Sequence, residues 1–284
     1  MRSLPLSCSV PEAGREVEAR LAFDVAGGRT TLRRQHVGYP LHITRGFYLD
    51  KARPDLLTLY LQSASGGVYA DDRLGLDVAV DANAAVNITT QASTVVHDGR
   101  GTGAIQRLTV TVGAGAFCAI VNDPYIMFPG ARLSLGATAS VAEDGVLILA
   151  DGFAVHDPRE RDRAFARYSA STRILRPDGR LLVSDHGSVD GDEMAMRSGA
   201  LGGMNAAATV FIVARPDRLP GPEEFENAAD RCGCLAGASV APNQAGMVMR
   251  LLAPDGGALG RGIEAAFHVA ACSTLGVDLA RRRK

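Results

Sequence analysis

Three times in this chain a strand-like run stops in a tight turn of small and acidic residues and the next run begins at once. The turns are Asp81-Ala-Asn-Ala84, Gly113-Ala-Gly-Ala116 and Ala142-Glu-Asp-Gly145. Turns this short leave no room for a crossover helix, so the runs they join must stack as coils or pack as sheets. The runs are rich in Val, Ile, Leu and Thr, as in Leu74-Gly-Leu-Asp-Val-Ala-Val80, Ile105-Gln-Arg-Leu-Thr-Val-Thr-Val112 and Ala116-Phe-Cys-Ala-Ile-Val121. Others follow at Leu56–Leu61, Ala85–Thr90, Ala131–Leu135, Val146–Leu149, Arg167–Ile174, Arg180–Ser184 and Ala207–Val213. Near the N-terminus, Arg20–Val25 and Thr30–Gln35 meet at Gly27-Gly28, a hairpin signal. The body is therefore all-β. A β-solenoid and a β-sandwich both accommodate the pattern, and no fixed-length repeat selects between them.

Glycine supplies the punctuation: 32 of 284 residues, above the usual share of about 7%. It falls between the runs, where turns need positive φ. Helical patterns come late. Pro222–Cys232 opens with Pro and two acids and is followed by Gly233, the expected terminal preferences. Gly260–Cys272 places Ile263, Ala266, Phe267 and Ala270 on one face. The chain reads as a single domain: an N-terminal extension (1–16), a β-rich body (17–215), a C-terminal part with two α-helices (216–275) and a frayed basic tail (276–284).

Thirty Lys and Arg against 31 Asp and Glu leave a net charge of −1. That argues against a nucleic-acid or membrane-surface binder, which needs a concentrated positive field. No apolar run is long enough to span a bilayer, and five cysteines without framework spacing suit a reducing, cytoplasmic setting.

Catalytic signatures are missing: no GxSxG elbow, phosphate-binding GxxxxGK[ST], HExxH or dinucleotide GxGxxG. Cys232-Gly-Cys234 is the one close thiol pair, and it reads as structural for want of nearby ligands. His97-Asp98 and Asp185-His186 are neighbours in extended chain, so their side chains point to opposite faces. The acidic loop from Asp151 through His156 to Glu160 reads as a solvated turn. More informative are polar stretches inside the β pattern: Ser63–Arg73, Thr89–Thr94 and Asn122–Ala131. Buried polar groups cost about 1–3 kcal/mol each unless paired, so these stretches should form networks, line water or lie on an interface.

The polar stretches also carry a likeness. Gly27–Leu32, Pro40-Leu41, Phe47-Tyr48, Gly66-Gly67 with Asp72, Thr89–Thr94 and Phe128–Ala131 resemble, in order and spacing, the urease accessory protein family UreD (UreH). Where that family commonly reads GGxxxGD, this chain has Ala70-Asp71 before Asp72. The resemblance implies a right-handed β-helical body with two α-helices. It implies a non-enzymatic scaffold that joins UreF and the GTPase UreG on apo-urease (UreABC), with UreE acting indirectly, as a dimer within the complex. It implies no tightly bound cofactor, with nickel as transient cargo along an internal polar channel. Carried onto this chain, the channel-lining candidates are Asp72, Ser93, Thr94 and Asp151. An ion that must leave again suits hard, weakly held oxygen ligands rather than a thiolate cage. A partner such as UreF needs an apolar patch, for which the late helices offer Phe225, Ile263 and Phe267. Two other readings stay open on residues alone. A carbohydrate-active β-helical enzyme would need a carboxylate pair and stacking aromatics, a thin prospect with no Trp. A β-sandwich interaction module would need neither.

Overall fold

The computed structural model describes residues 14–196 and 201–281. Most of the expected N-terminal extension and the end of the basic tail fall outside that range. Two sheets form the molecule. The first runs, in spatial order, β14 (Leu181–Asp190), β13 (Arg167–Leu175), β11 (Arg132–Val141), β8 (Ala104–Val112), β5 (Arg73–Val80), β1 (Glu16–Ala26) and β2 (Arg29–His36). The second runs β16 (Leu235–Val240), β17 (Gly246–Ala253), β15 (Ala206–Val213), β12 (Val146–Val155), β9 (Phe117–Val121), β6 (Ala85–Thr90), β4 (Leu57–Ser63) and β3 (Leu41–Ile43). Short strands β7 (Val95–Val96) and β10 (Tyr125–Met127) pair beside β12.

The tight turns decide between solenoid and sandwich. Each carries the chain from the first sheet to the second: β5 to β6, β8 to β9, β11 to β12. Successive coils then stack in parallel, β5 on β8 on β11 in one sheet and β6 on β9 on β12 in the other. The turns themselves stack through the backbone. Gly113 N–H donates to Val80 O at 2.8 Å, and Ala142 N–H donates to Val112 O at 2.9 Å. A Cβ on Gly113 would lie 2.8 Å from Ala82 N, so this coil-to-coil approach needs glycine. Val80, Val112 and Val141 face one another across the coils and are fully buried. The result is a β-solenoid-like stack whose coils differ in length, which is why no sequence period announces it.

Antiparallel pairs finish both sheets. β1 and β2 form the expected hairpin, closing with Ala26 opposite Arg29. β13 and β14 end the first sheet, and β15, β17 and β16 extend the second. Two outward N–H groups of edge strand β16 are occupied: Ala236 donates to Asp230 and Ala238 to Glu226, both carboxylates from the neighbouring helix. Such capping blunts an edge that would otherwise pair with another chain.

The two helices expected in residues 216–275 are present, and among the described residues a third, short helix precedes them in the body. A five-residue turn, α1 (Gly191–Ala195), follows β14 and is absent from the hydrophobic pattern because it is too short to show one. The second, α2 (Pro222–Asp230), stops two residues before Cys232. The third, α3 (Gly256–Leu275), begins four residues before the expected Gly260, because Asp255 caps it by accepting Ala258 N–H at 2.8 Å. Gly276, at φ 72°, ends it. The described part of the tail is packed rather than frayed: Leu279 is buried and Ala280 N–H donates to the Asp50 carboxylate.

Candidate functional site

Polar side chains cross the space between the two sheets at one level, between two apolar clusters. Strand alternation puts them there. In β12, Leu147, Leu149, Asp151 and Phe153 share the inner face, so the carboxylate of Asp151 stands in line with core residues. The cross-strand register then extends the row: Asp151 lies opposite Thr209 on β15, and Thr209 opposite Arg250 on β17. In the facing sheet, Thr172 on β13 lies opposite Asp185 on β14. Arg250 joins the layers, donating to Thr209 Oγ1 at 2.6 Å and to the Asp185 carboxylate.

A cavity of about 110 Å³ occupies this level, with apolar walls such as Leu76, Leu108 and Leu149 and a polar belt of Gln106, Asn122, Tyr125, Asp151 and Thr172. It is roomy enough for water. Two neighbouring cavities share its lining. One shares Gln106, Asn122 and Tyr125 and opens among Gln62, Gln91, Ser93 and Thr94. The other shares Asp151 and Ala170 and opens at Asp185, Gly187, Ser188 and Arg250. Together the three cavities lie in a row across the strands, from the β6–β7 loop to the β14 edge.

The groups along it are under-satisfied. Asn122 Oδ1 is buried and meets no hydrogen-bond donor among the described residues. Asp151 accepts one hydrogen bond, from the Tyr168 hydroxyl at 3.2 Å. Burial pushes its carboxyl up to about 6, against the opposing pull of the Tyr168 hydroxyl and the Arg250 charge. Burial also raises the phenols of Tyr125 and Tyr168, so both stay neutral donors. A carboxylate this short of partners is available to a cation or a proton.

The four channel candidates therefore divide. Asp151 lines the central cavity, and Ser93 and Thr94 line a neighbouring one. Asp72 lines neither. It is almost fully buried and saturated by Arg15 Nε at 2.8 Å, Arg15 N–H at 3.2 Å, Tyr69 N–H at 2.8 Å and a second guanidinium nitrogen. Burial opposes ionisation there, but these hydrogen bonds win and hold its carboxyl below the usual range. Asp72 ties residues just before β1 to the turn before β5.

The partner candidates also move. Phe225, Ile263 and Phe267 are 0%, 3% and 2% exposed and sit in one core cluster with β15 and β17 residues. The apolar faces of α2 and α3 that these residues mark pack on the sheet. In residues 216–275 the exposed large apolar side chains are Leu235 and Val240, both on β16.

Other sequence features resolve structurally. Asp185 faces inward while His186 is exposed, as alternation requires. Asp157 accepts backbone N–H groups of Arg159, Arg161 and Arg163, which makes its loop a self-contained turn. Cys234 Sγ fits against α3, where a Cβ on Gly262 would lie 2.5 Å away, and burial pushes its thiol up to about 11. Among the described residues no three His, Cys, Asp or Glu side chains are close enough to hold a metal ion together. Nor is any described helix long and apolar enough to cross a membrane.

Thr209, Arg250 and Asp185 were not singled out as site residues from sequence. The available signal was a charge inside an apolar strand, Met247-Val-Met-Arg-Leu-Leu252, whose partner only the sheet order reveals.

Known proteins share the whole chain. A sequence-family model described as UreD urease accessory protein matches residues 15–284. The urease accessory protein UreD 3 of Bradyrhizobium sp. (strain ORS 278) is 64% identical over the full length of both chains. UreD 1 of Methylorubrum populi is 44% identical, covering 99% of this chain and 95% of its own. UreD 1 of Pseudomonas syringae pv. syringae is 28% identical over 94% and 95% respectively. Matched by the family model over nearly its whole length and by relatives end to end, the chain belongs to the UreD family of urease accessory proteins.

Proposed function

We propose that this protein is a non-catalytic scaffold of urease maturation that guides nickel between its two sheets toward apo-urease, in a cytoplasmic assembly with UreF and the GTPase UreG. Nickel is cargo in this reading, and no cofactor stays bound. One observation supports it: three neighbouring cavities between the sheets share lining residues, and their polar side chains carry mostly oxygen, with no thiolate and with His42 as the imidazole among them. Hard oxygen ligands bind a divalent ion loosely enough to release it. The residues act in sequence. Hydroxyls and amides at the Ser93–Thr94 mouth replace part of the ion's water shell, with Gln62 and Gln91 beside them. Asn122 Oδ1 offers an acceptor without a competing donor. Asp151 supplies the compensating negative charge at the narrow centre, and the neutral phenols of Tyr125 and Tyr168 flank it without adding charge. Apolar walls on either side keep the ion from straying into the core.

The test is Asp151→Asn, which keeps size and hydrogen bonding but removes the charge. Co-expressed with its partners, the variant should still assemble with UreF and UreG by size-exclusion chromatography, yet leave urease with several-fold less nickel and activity. Full nickel loading by the Asp151→Asn protein would overturn the passage.

A further inference from the structure

The two mouths of the passage differ in kind. Around Ser93 and Thr94 the lining holds no carboxylate, guanidinium or ammonium; its polar groups include His42, whose Nδ1 lies 2.8 Å from Gln62 Oε1, and the Gln62 amide donates to Gln91. At the other end a charged bridge spans the opening. Arg250 leaves β17 of the second sheet and reaches Asp185 on β14 of the first, with Thr209 Oγ1 as its second acceptor. The edge strand β14 contributes Gly187, Ser188 and Val189 beside it, and Phe153, Tyr168 and Leu252 wall the cavity behind. Asp151 lies directly behind, two strands inward along the register row.

On the reading that an ion crosses between the sheets, we propose that the Arg250–Asp185 ion pair is the gate of the β14 mouth, a tethered cation standing where the departing cation must pass. A guanidinium keeps its charge at every physiological pH, so it repels any ion held at Asp151. By occupying Asp185 it also withholds the next carboxylate on the way out. The gate is built to open. Arg250 is 53% exposed and Asp185 23%, and ion pairs so close to solvent are weak. Swinging Arg250 outward clears the mouth and frees Asp185 to receive the ion. The Arg15–Asp72 pair, with its carboxylate 2% exposed, has no such freedom.

The sign of a mutational effect separates a gate from a structural brace. Delivery of radioactive nickel from the assembled accessory complex to apo-urease is timed for Arg250→Met, Arg250→Lys, Asp185→Asn and Asp151→Asn, with melting temperature and assembly checked for each. Arg250→Met, matched in length but uncharged, should deliver about tenfold faster, a barrier change of about 1.4 kcal/mol. Asp185→Asn, which unlatches the guanidinium, should also be faster, and Arg250→Lys should stay near wild type. Delivery by Arg250→Met at the wild-type rate or slower, from an intact complex, overturns the gate. Should Arg250→Met not assemble, Asp185→Asn decides by the same criterion. If Asp151→Asn slows delivery while Arg250→Met changes nothing, the gate alone falls. If Asp151→Asn has no effect, the passage falls and takes the gate with it.

Discussion

Asp72 and Asp151 are both acids in polar stretches of β pattern, and the fold gives them opposite chemistry. Asp72 sits where the chain before β1 meets the turn before β5, and it receives hydrogen bonds from Arg15 and Tyr69 that lower its carboxyl. Asp151 sits mid-strand between two sheets and, among the described residues, accepts a single hydrogen bond, from the Tyr168 phenol, and burial raises its carboxyl to about 6. The first is stabilised in its charged form and closed to any ligand. The second is destabilised in its charged form and open to one. What the difference teaches is that ligand availability follows from unmet hydrogen-bond capacity, not from burial or residue type.

The largest effect that could break this contrast is on Asp72. Replacing it with Ala leaves Arg15 facing a partly buried site without its counter-charge, and breaking such a pair costs about 3–5 kcal/mol. Urea unfolding should show that loss, with assembly and nickel delivery failing together. A fully stable Asp72→Ala variant with poor nickel delivery would return Asp72 to the ion path. A smaller effect of opposite sign belongs to Asp151. Its folded pKa lies above the unfolded value, so the folded state holds the extra proton between about pH 4 and 6, and stability falls as pH rises through that window. Tyr168 on β13, Tyr125 on β10, Arg250 on β17 and Asp185 on β14 are the charged or titratable groups around it. Asp151→Asn should therefore be more stable than wild type at pH 7.5, by about 1–2 kcal/mol in urea unfolding, and show no advantage at pH 4. Wild-type nickel delivery should fall as pH drops through about 6, when the carboxyl takes up its proton. A flat profile there would separate delivery from Asp151. The smallest effect is expected at the mouth. Ser93→Ala and Thr94→Val remove hydroxyls from an open loop where water can substitute, so stability should move by less than about 0.5 kcal/mol. Nickel delivery should drop by a small factor only.

A similar contrast separates the body from its C-terminal part. The tight turns at residues 81–84, 113–116 and 142–145 were legible because turn chemistry is local: small residues, acids and glycine at fixed places. Stacking them into coils was not legible, because coil lengths differ and the register is set by backbone hydrogen bonds between distant residues. The helix positions of Phe225, Ile263 and Phe267 were legible from periodicity, but periodicity does not say what covers an apolar face. Here β15 and β17 cover it. The passage was half legible. Ser93, Thr94 and Asp151 stood out as polar residues in β pattern, whereas Arg250 and Asp185 meet across 65 residues of sequence.

The sequence by itself determined which segments are strands, where they turn, that helices come late, and which family the chain resembles, because each of these depends on neighbours within a few residues. Only the tertiary structure decided which carboxylate is saturated and which keeps unmet hydrogen-bonding capacity, since that depends on donors brought from elsewhere in the chain. Arg15 folds onto Asp72 and saturates it, whereas Asp151 receives one phenol and keeps the rest of its hydrogen-bonding capacity.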